Sequence, residues 1–304
     1  MSANGPRIVL ISGASAGLGA AIARELARSG HRLALVARRA DRLEGVAGEV
    51  RALGGEALAL PADLADPEAP AALIAATVAQ FGGLDVLINN AAFGLPDYFG
   101  HSDPEALRRQ IAVNLAAPML LTRLALPHLI AAKGTVINIG SAITCVANPI
   151  FGAYGPTKAA LAYWTDALRR ELRHRSVRVC LVEPGPIATE FFAAVGRLDG
   201  GDRALGIGPP PDALYNALRD RPPTLLEISA EEAARRISRL LDRPRRRLSL
   251  PRRVVWPLRL VGALFQIAPG LGDLILAAMI QRVERERADR AGQPRPRRAH
   301  ARRG

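Results

Sequence analysis

The stretch RIVLISGASAGLGAAIARELARSG, residues 7–30, decides the fold of this chain. It opens with a short apolar run between Pro6 and Gly13, which predicts a buried strand. A glycine-rich turn follows, and the amphipathic pattern after it predicts a helix that ends at Gly30. A strand joined to a helix by such a turn is typical of an α/β fold that binds phosphate groups.

The turn itself has the sequence GASAGLG, residues 13–19. Glycines at this junction let the backbone turn tightly and approach a pyrophosphate, which rests on the helix N-terminus. The spacing G-x-x-x-G-x-G differs from the G-x-G-x-x-G of the best-known dinucleotide fingerprint. An ordinary glycine-rich turn is the alternative, but the position between a strand and a helix favours phosphate binding. The predicted phosphate-binding residues are Gly13, Ser15, Gly17, Leu18 and Gly19.

Further strands and helices alternate along the rest of the chain. The predicted strands are RLALVA (32–37), EALALPAD (56–63), LDVLINNA (84–91), GTVINIGS (134–141), VRVCLVEPG (177–185) and RRLSLP (246–251). Strands that are apolar along their whole length are typical of a parallel sheet covered on both faces. The sequence therefore predicts a Rossmann-like, doubly wound α/β domain of three layers over residues 1–250. An apolar helical extension (251–285) and a basic, disordered tail (286–304) complete the predicted organisation.

Composition restricts the classes of partner. The chain of 304 residues has a formal net charge of +13, but acids and bases are interspersed before Arg243 and the excess follows it. Aromatic residues do not interleave with that charge, which argues against nucleic acid as a partner. Only two cysteines are present, Cys145 and Cys180, too few for a disulfide framework or a zinc site. The N-terminus has no long apolar signal region, so we expect the protein in the cytoplasm.

Tyr154 and Lys158 lie four residues apart in FGAYGPTKAALAYWTDAL, residues 151–168, which has a helical pattern. Residues at this spacing share one helix face. A tyrosine ordinarily titrates near pH ~10, and a nearby ammonium lowers its pKa, so the pair predicts a proton donor and acceptor. A packed ring beside a solvated lysine is the alternative. However, the chain contains only one other lysine, Lys133, which suggests that arginine would not serve at position 158.

The end of the second strand indicates which nucleotide is preferred. An NAD-selective site places an acidic residue there, about 20 residues after the glycine turn. In this chain the strand ends in Ala37-Arg38-Arg39. Two guanidinium groups suit a ribose 2′-phosphate, because arginine binds phosphate through a planar fork. Two solvated arginines in an arginine-rich chain are the alternative. The pattern favours NADP(H) over NAD(H), bound by Arg38 and Arg39.

Together these motifs resemble the short-chain dehydrogenase/reductase family, in its classical subfamily, over roughly residues 7–250. The further motifs that carry the resemblance are Asp63-Leu64, NNAA at 89–92, Asn114, Ser141, Tyr154-x-x-x-Lys158 and PGPIAT at 184–189. The resemblance implies an NADP(H)-dependent oxidoreductase that interconverts a ketone or aldehyde and an alcohol. It also implies assembly into homodimers or homotetramers.

The resemblance implies a role for each matching residue. Tyr154 is the general acid or base, and Lys158 lowers the pKa of Tyr154 and holds the nicotinamide ribose. Ser141 positions the substrate oxygen, and Asn114 holds a water molecule in a proton relay to Lys158. The remaining cofactor contacts are implied for Asp63 and Leu64 at the adenine, Asn90 at the adenosine, and Pro184, Gly185, Ile187 and Thr189 at the nicotinamide.

The substrate pocket is expected from residues 142–153 and 186–225, and the apolar first stretch favours a lipophilic substrate. A non-catalytic NADP-binding protein at a membrane is the alternative function. Residues 254–280 are strongly apolar, but Pro269, Gly270 and Asp273 argue against a single membrane span and favour two short helices. Flanking arginines suit an anionic membrane surface, at the inner face of the membrane. Packing on the substrate cleft or on a second subunit remains the alternative for this segment.

Overall fold

The structure is a computed structural model that describes residues 5–94, 102–147, 151–188 and 227–278. Within these residues the main sheet has seven strands: β1 (Ile8–Ser12), β2 (Arg32–Ala37), β3 (Glu56–Pro61), β4 (Val86–Asn89), β5 (Thr135–Ile139), β6 (Arg178–Pro184) and β9 (Arg247–Leu250). The sheet is parallel throughout, with strand order β3-β2-β1-β4-β5-β6-β9. Two shorter strands, β7 (Ile187–Ala188) and β8 (Ile228–Ser229), pair with each other outside this sheet.

Helices connect the strands and cover both faces of the sheet. Their bounds are α1 (Gly17–Ala27), α2 (Ala40–Ala52), α3 (Ala69–Phe81), α4 (Pro104–Ile111), α5 (Ala117–Ala131), α6 (Tyr154–Glu171), α7 (Ala230–Asp242), α8 (Arg252–Ile267) and α9 (Pro269–Ala278). Short 3-10 turns occupy Ala142–Cys145 and Leu172–Arg175. Every expected strand of the main sheet is present, and the predicted doubly wound α/β fold is confirmed.

Alternate side chains of the strands point to opposite faces of the sheet and form two apolar cores. Val9 and Ile11 of β1 belong to a core with α1, α2 and α7, whereas Ile8 and Leu10 belong to a core with α3, α5 and α6. Successive side chains of a strand point to opposite faces, so a strand that is apolar throughout must be covered on both sides. The result is three layers, helix–sheet–helix.

Strand β1 lies at the point where the strand order reverses. It pairs with β2 on one side and with β4 on the other, both in parallel. In doubly wound sheets the crevice beyond the carboxyl ends of the strands at this point is the usual ligand site. The loops that follow β1, β2, β4, β5 and β6 therefore converge on one edge of the sheet.

Two local predictions need correction. The sequence predicts a long helix within residues 103–132 that starts near Asp103-Pro104, and in the structure a π-helical segment, Ala112–Ala116, interrupts it between α4 and α5. Its start is as predicted, because the Asp103 carboxylate accepts a hydrogen bond of 2.8 Å from the amide of Ala106. The sequence also predicts Asp41 as the cap of the helix after β2, but α2 begins at Ala40 with Arg39 as the N-cap residue, so Asp41 lies within the first turn.

The apolar C-terminal segment forms the two short helices expected from the sequence. Helices α8 and α9 meet at a bend of 119°, and taken as one broken span they have the length and hydropathy to cross a bilayer. In the described part of the chain the continuous stretch Pro104–Ala131 also meets these criteria. That stretch contributes Leu121, Ala125 and Leu129 to a buried core, as a core helix of a globular domain does.

Candidate active site

A cavity of about 690 Å³ lies at the carboxyl edge of the sheet, with the glycine turn at one end and Tyr154 at the other. Nearly all the residues predicted to form the site line it. They are Gly13, Ser15, Gly17, Leu18, Gly19, Arg38, Arg39, Asp63, Leu64, Asn90, Ser141, Tyr154, Lys158, Pro184, Gly185 and Ile187. Asn114 lies behind the wall, and Thr189 falls outside the described residues.

The glycine turn has a conformation that other residues would disturb. Gly13 has φ +70°, and a Cβ there would lie 2.8 Å from the Cα of Ala91. A Cβ on Gly19 would overlap the carbonyl oxygen of Gly13. Among the described residues, no side chain caps the start of α1, and the first turn contains no acid. The amide groups of that turn are therefore available to an anion in the cavity.

Ser12 and Asn90 hold the turn against the neighbouring strand. The Asn90 side-chain amide donates to the carbonyl oxygens of Ser12 (2.9 Å) and Gly13 (3.1 Å). The Ser12 hydroxyl accepts from the backbone amides of Asn90 and Ala91, both at 3.0 Å. The side-chain nitrogen of Asn90 is thus used to shape the phosphate turn, and its contact with the adenosine stays a prediction.

The arginine pair lies at the end of the cavity that is farther from Tyr154. Arg38 and Arg39 are exposed at the end of β2, and Arg39 Nη2 donates to Ser15 Oγ at 3.3 Å. This contact joins the arginine pair to the glycine turn. A phosphate near Ser15 would therefore meet the amides of α1 and a guanidinium together.

Asp63 is held in place by a residue that the sequence did not indicate. Its carboxylate forms an ion pair with Arg109 of α4 and accepts from the amide of Ala65 at 3.0 Å. Partial burial acts to raise the pKa of Asp63, but these two hydrogen bonds and the charge of Arg109 hold that pKa below its ordinary value. Arg109 itself lines the cavity. No spacing rule links it to Asp63, which lies 46 residues away in sequence.

Tyr154, Lys158 and Ser141 meet at the opposite end of the cavity. Tyr154 is the first residue of α6, so Pro156 falls in the first turn, where proline is tolerated. Tyr154 is hydrogen-bonded to Ser141, and Ser141 Oγ also accepts from the amide of Ile143 at 3.2 Å. Lys158 Nζ lies 5.9 Å from the centre of the Tyr154 ring and donates to the carbonyl of Ile139 at 2.7 Å.

Burial controls the protonation of this pair. It raises the pKa of Tyr154 to about 12, although the hydrogen bond with Ser141 acts in the other direction. Burial also lowers the pKa of Lys158 to about 7. The net shift of the Tyr154 pKa is therefore upward, because desolvation opposes both charged forms, and the effect of Lys158 on that pKa stays a prediction. Near neutral pH Tyr154 is therefore protonated, and the pH is close to the pKa of the Lys158 ammonium.

The side chain of Asn114 is hydrogen-bonded within the domain. It lies in the π-helical segment, where its Oδ1 accepts from the amide of Phe93 at 3.0 Å. Its Nδ2 donates to the Phe93 carbonyl (2.9 Å) and to Thr157 Oγ1 (3.3 Å). The side chain thus connects the loop after β4 to the residue preceding Lys158. Its part in a proton relay stays a prediction.

The wall beside Tyr154 is apolar. Ile143, Val146 and Phe151 come from the stretch predicted to form the substrate pocket. Val254 and Leu258 of α8 complete this wall. The sequence left open whether the C-terminal segment lies at the cleft, and the structure places α8 there. The other predicted pocket stretch, 186–225, contributes Pro186 and Ile187, and residues 189–226 lie outside the described ones.

A nucleotide-binding turn and a Tyr–Lys–Ser group in one cavity of a doubly wound sheet define a Rossmann-type oxidoreductase. A family model described as short chain dehydrogenase matches residues 7–198. The chain therefore belongs to the short-chain dehydrogenase/reductase family, whose members interconvert CH–OH and C=O groups with a nicotinamide cofactor.

Individual relatives agree with this assignment. An uncharacterized oxidoreductase of Methylorubrum extorquens is 37% identical over 206 residues, which cover 66% of this chain and 81% of the relative. The 11-beta-hydroxysteroid dehydrogenase-like 2 of Arabidopsis thaliana is 37% identical over 192 residues, 61% of this chain and 60% of the relative. A solved short-chain dehydrogenase from Sphingobium yanoikuyae in complex with NADPH has a TM-score of 0.69 at 28% identity, covering 87% of this chain and 94% of that one.

Proposed function

We propose that this protein is an NADP(H)-dependent oxidoreductase that interconverts a lipophilic ketone or aldehyde and the corresponding alcohol. The observation that carries this proposal is the composition of the cavity at the carboxyl edge of the sheet. One end has a phosphate turn beside two arginines, and the other has a buried Tyr154 hydroxyl bonded to Ser141 within an apolar wall.

In the proposed reaction each residue of the site has a separate role. A bound nicotinamide nucleotide supplies or accepts the hydride. In reduction Tyr154 donates its hydroxyl proton to the substrate oxygen, and in oxidation it removes the proton from the alcohol. Ser141 Oγ holds that oxygen by a hydrogen bond, and Lys158 supplies positive charge that favours the tyrosinate as the proton leaves. The raised pKa of Tyr154 favours the protonated, donating form.

Preference for NADP(H) is supported by charge at the remote end of the cavity. Arg38 and Arg39 lie where NAD-selective sites place an acid. The amides at the start of α1, Ser15 and Arg39 together form a surface suited to phosphate groups. The relative from Sphingobium yanoikuyae was solved with NADPH, which is consistent with this preference.

A lipophilic substrate is supported by the wall around Tyr154. Ile143, Val146, Phe151, Val254 and Leu258 present apolar side chains next to one hydrogen-bonding hydroxyl pair. Such a pocket favours an apolar body with a single carbonyl or hydroxyl group, because a second polar group would be buried without a partner. The Arabidopsis relative is named after a hydroxysteroid dehydrogenase, and steroids are lipophilic.

The alternative is a non-catalytic NADP-binding protein at a membrane. The exposed apolar side chains of α8 and α9 favour it. The retention of Tyr154, Lys158 and Ser141 in contact with the cavity favours the enzyme. We further propose that the protein acts in the cytoplasm as a homodimer or homotetramer, in keeping with its family.

The two functions are separated by a turnover assay. A panel of lipophilic ketones and secondary alcohols is incubated with NADPH or NADP⁺, and the nicotinamide absorbance is followed. We expect turnover of at least one substrate with an apolar body and little turnover of small polar ketones. Nucleotide binding without turnover across the panel would favour the non-catalytic alternative. Light scattering in the same buffer would report the oligomeric state.

A further inference from the structure

Helices α8 and α9 form a C-terminal hairpin, and one face of α8 packs on the residues that build the active site. Its inner side carries Val255, Arg259 and Gly262, which share a helix face at spacings of four and three. Val255 is fully buried, and a Cβ on Gly262 would overlap the carbonyl oxygen of Cys145. This close approach joins α8 to the 3-10 turn that follows Ser141. The hairpin is thus part of the folded domain.

An ion pair holds the same face. Arg259 donates to the carboxylate of Glu183, whose side chain is only 2% exposed at the end of β6. Arg247 Nη1 contacts the other oxygen of Glu183 at 3.1 Å. Because α8 is fixed at both Cys145 and Glu183, the orientation of its opposite side is also fixed.

That opposite side is apolar and exposed. Most of the large hydrophobic side chains that are exposed in the described part of the chain belong to this hairpin. In α8 they form a row at helical spacing, made of Trp256, Leu260, Leu264 and Ile267. Helix α9 continues the patch with Leu271, Leu274 and Ile275, and Gly272 packs on the ring of Phe265. Ile267 is 83% exposed and Leu274 is 72% exposed. A contiguous patch of this kind marks an interaction surface.

The charge around the patch indicates its partner. Exposed Arg252 and Arg253 lie at the start of α8, and Asp273 is the one acid between residues 252 and 278. A helix with large apolar side chains bordered by cations is typical of proteins that lie in an anionic membrane interface. If the partner were a second copy of this chain, the arginines of the two copies would meet at the interface, where their like charges would repel each other. The bend of 119° allows both helices to lie along a surface and does not suit a straight span.

We propose that the hairpin docks this protein on an anionic phospholipid bilayer, at the inner face of the membrane, with its outer side inserted among the headgroups. Val254 and Leu258 of the same helix line the catalytic cavity. Docking therefore places the apolar end of the cavity next to the bilayer, from which a lipophilic substrate can enter. Only this entry route rests on the proposed function; the docking itself does not.

The test uses the intact chain and needs neither substrate nor nucleotide. Co-sedimentation is measured with vesicles of phosphatidylcholine alone and of phosphatidylcholine mixed with phosphatidylglycerol. We expect binding to the mixed vesicles at low salt, with weaker binding to the neutral vesicles and at high salt. Trp256 should shift its fluorescence to shorter wavelength on binding, because its ring enters the interface.

The matched variants are the double change Ile267→Asp with Leu274→Asp, and the control Tyr163→Asp. Tyr163 is 81% exposed and belongs to α6, a different helix from those of the hairpin. The double variant should lose vesicle binding at least about tenfold, whereas the control should bind as the intact protein does. Both should keep the turnover, measured without vesicles, of a ketone that the intact protein accepts, because none of the three residues lines the cavity.

Two results would overturn the proposal. One is an intact protein that stays in the supernatant with anionic vesicles at low salt. The other is a double variant that binds vesicles as well as the control does. If the double variant instead dissociates an oligomer of a protein that does not bind vesicles, the patch is a contact between copies. Failure of turnover with normal vesicle binding would reject the proposed enzyme function alone.

Discussion

Gly262 of α8 lies so close to the carbonyl oxygen of Cys145 that the chain has no room for a Cβ at that position. Cys145 ends the 3-10 turn that begins after Ser141, the residue bonded to Tyr154. The C-terminal helix therefore supports the turn that carries a predicted catalytic group. A segment outside the region matched by the family model thus takes part in building the site.

We expect Gly262→Ala to destabilise the protein by about 1–3 kcal/mol, the usual cost of overpacking. The added methyl group must displace either α8 or the Cys145 backbone, so activity should fall as well. The control is Gly270→Ala in α9, where a Cβ would have no atom within 4 Å. Chemical unfolding of both variants checks the difference. Equal stability of the two variants would show that α8 does not pack on Cys145.

Tyr154→Phe should remove turnover and leave nucleotide binding intact. The change deletes only the hydroxyl that donates the proton, and general acid–base catalysis contributes about 10²–10⁴-fold to rates. Tyr163→Phe is the control, because Tyr163 is on the same helix and exposed. The measurements are kcat on any accepted substrate and the dissociation constant of NADPH. More than a few per cent of the original kcat in Tyr154→Phe would reject its role.

The buried Lys158 predicts a pH dependence of stability. Its pKa is lowered from 10.5 to about 7 by burial. Between these values the unfolded chain keeps the proton that the folded protein has lost, so the folded protein gains stability as the pH rises. One proton corresponds to about 1.4 kcal/mol per pH unit. We expect this slope between about pH 7 and about pH 8, because above that range the thiols of the unfolded chain, which titrate near pH ~8.5, begin to lose protons that the folded protein keeps.

Lys158→Met should flatten that slope and raise the free energy of unfolding at neutral pH, because it removes the buried amine. Lys133→Met, which changes the other lysine of the chain, should keep the slope. Urea unfolding at several pH values measures both. Parallel curves for the intact protein and Lys158→Met would mean that Lys158 stays charged in the folded protein.

Replacing Arg38 and Arg39 together by Ala should abolish most of the preference for NADPH. Hydrogen bonds to charged groups contribute about 1.5–3 kcal/mol, or one to two decades of affinity. NADH binding should change little, since it lacks the 2′-phosphate. Arg28→Ala, which changes an exposed arginine paired with Glu25, is the control. Equal affinities of the intact protein for NADPH and NADH would contradict the assignment.

Much of this architecture is local and could be derived from residue order. The apolar runs predict the strands of the main sheet because a strand buried on both faces needs apolar residues throughout. The glycine turn could also be derived from the chain, because Gly13 has φ +70°, a conformation that favours glycine. The start of α6 near Tyr154 follows from Pro156, because proline is best tolerated in the first turn of a helix.

The properties that only the tertiary structure decided depend on residues far apart in sequence. The contact of Arg109 with Asp63, the bonds of Asn114 to Phe93 and Thr157, and the place of α8 beside the cavity are of this kind. The protonation of Tyr154 and Lys158 is another, because the helical spacing brings the two groups together but burial controls their pKa values. Burial is a property of the whole packed domain, whereas spacing along a helix is a property of the chain.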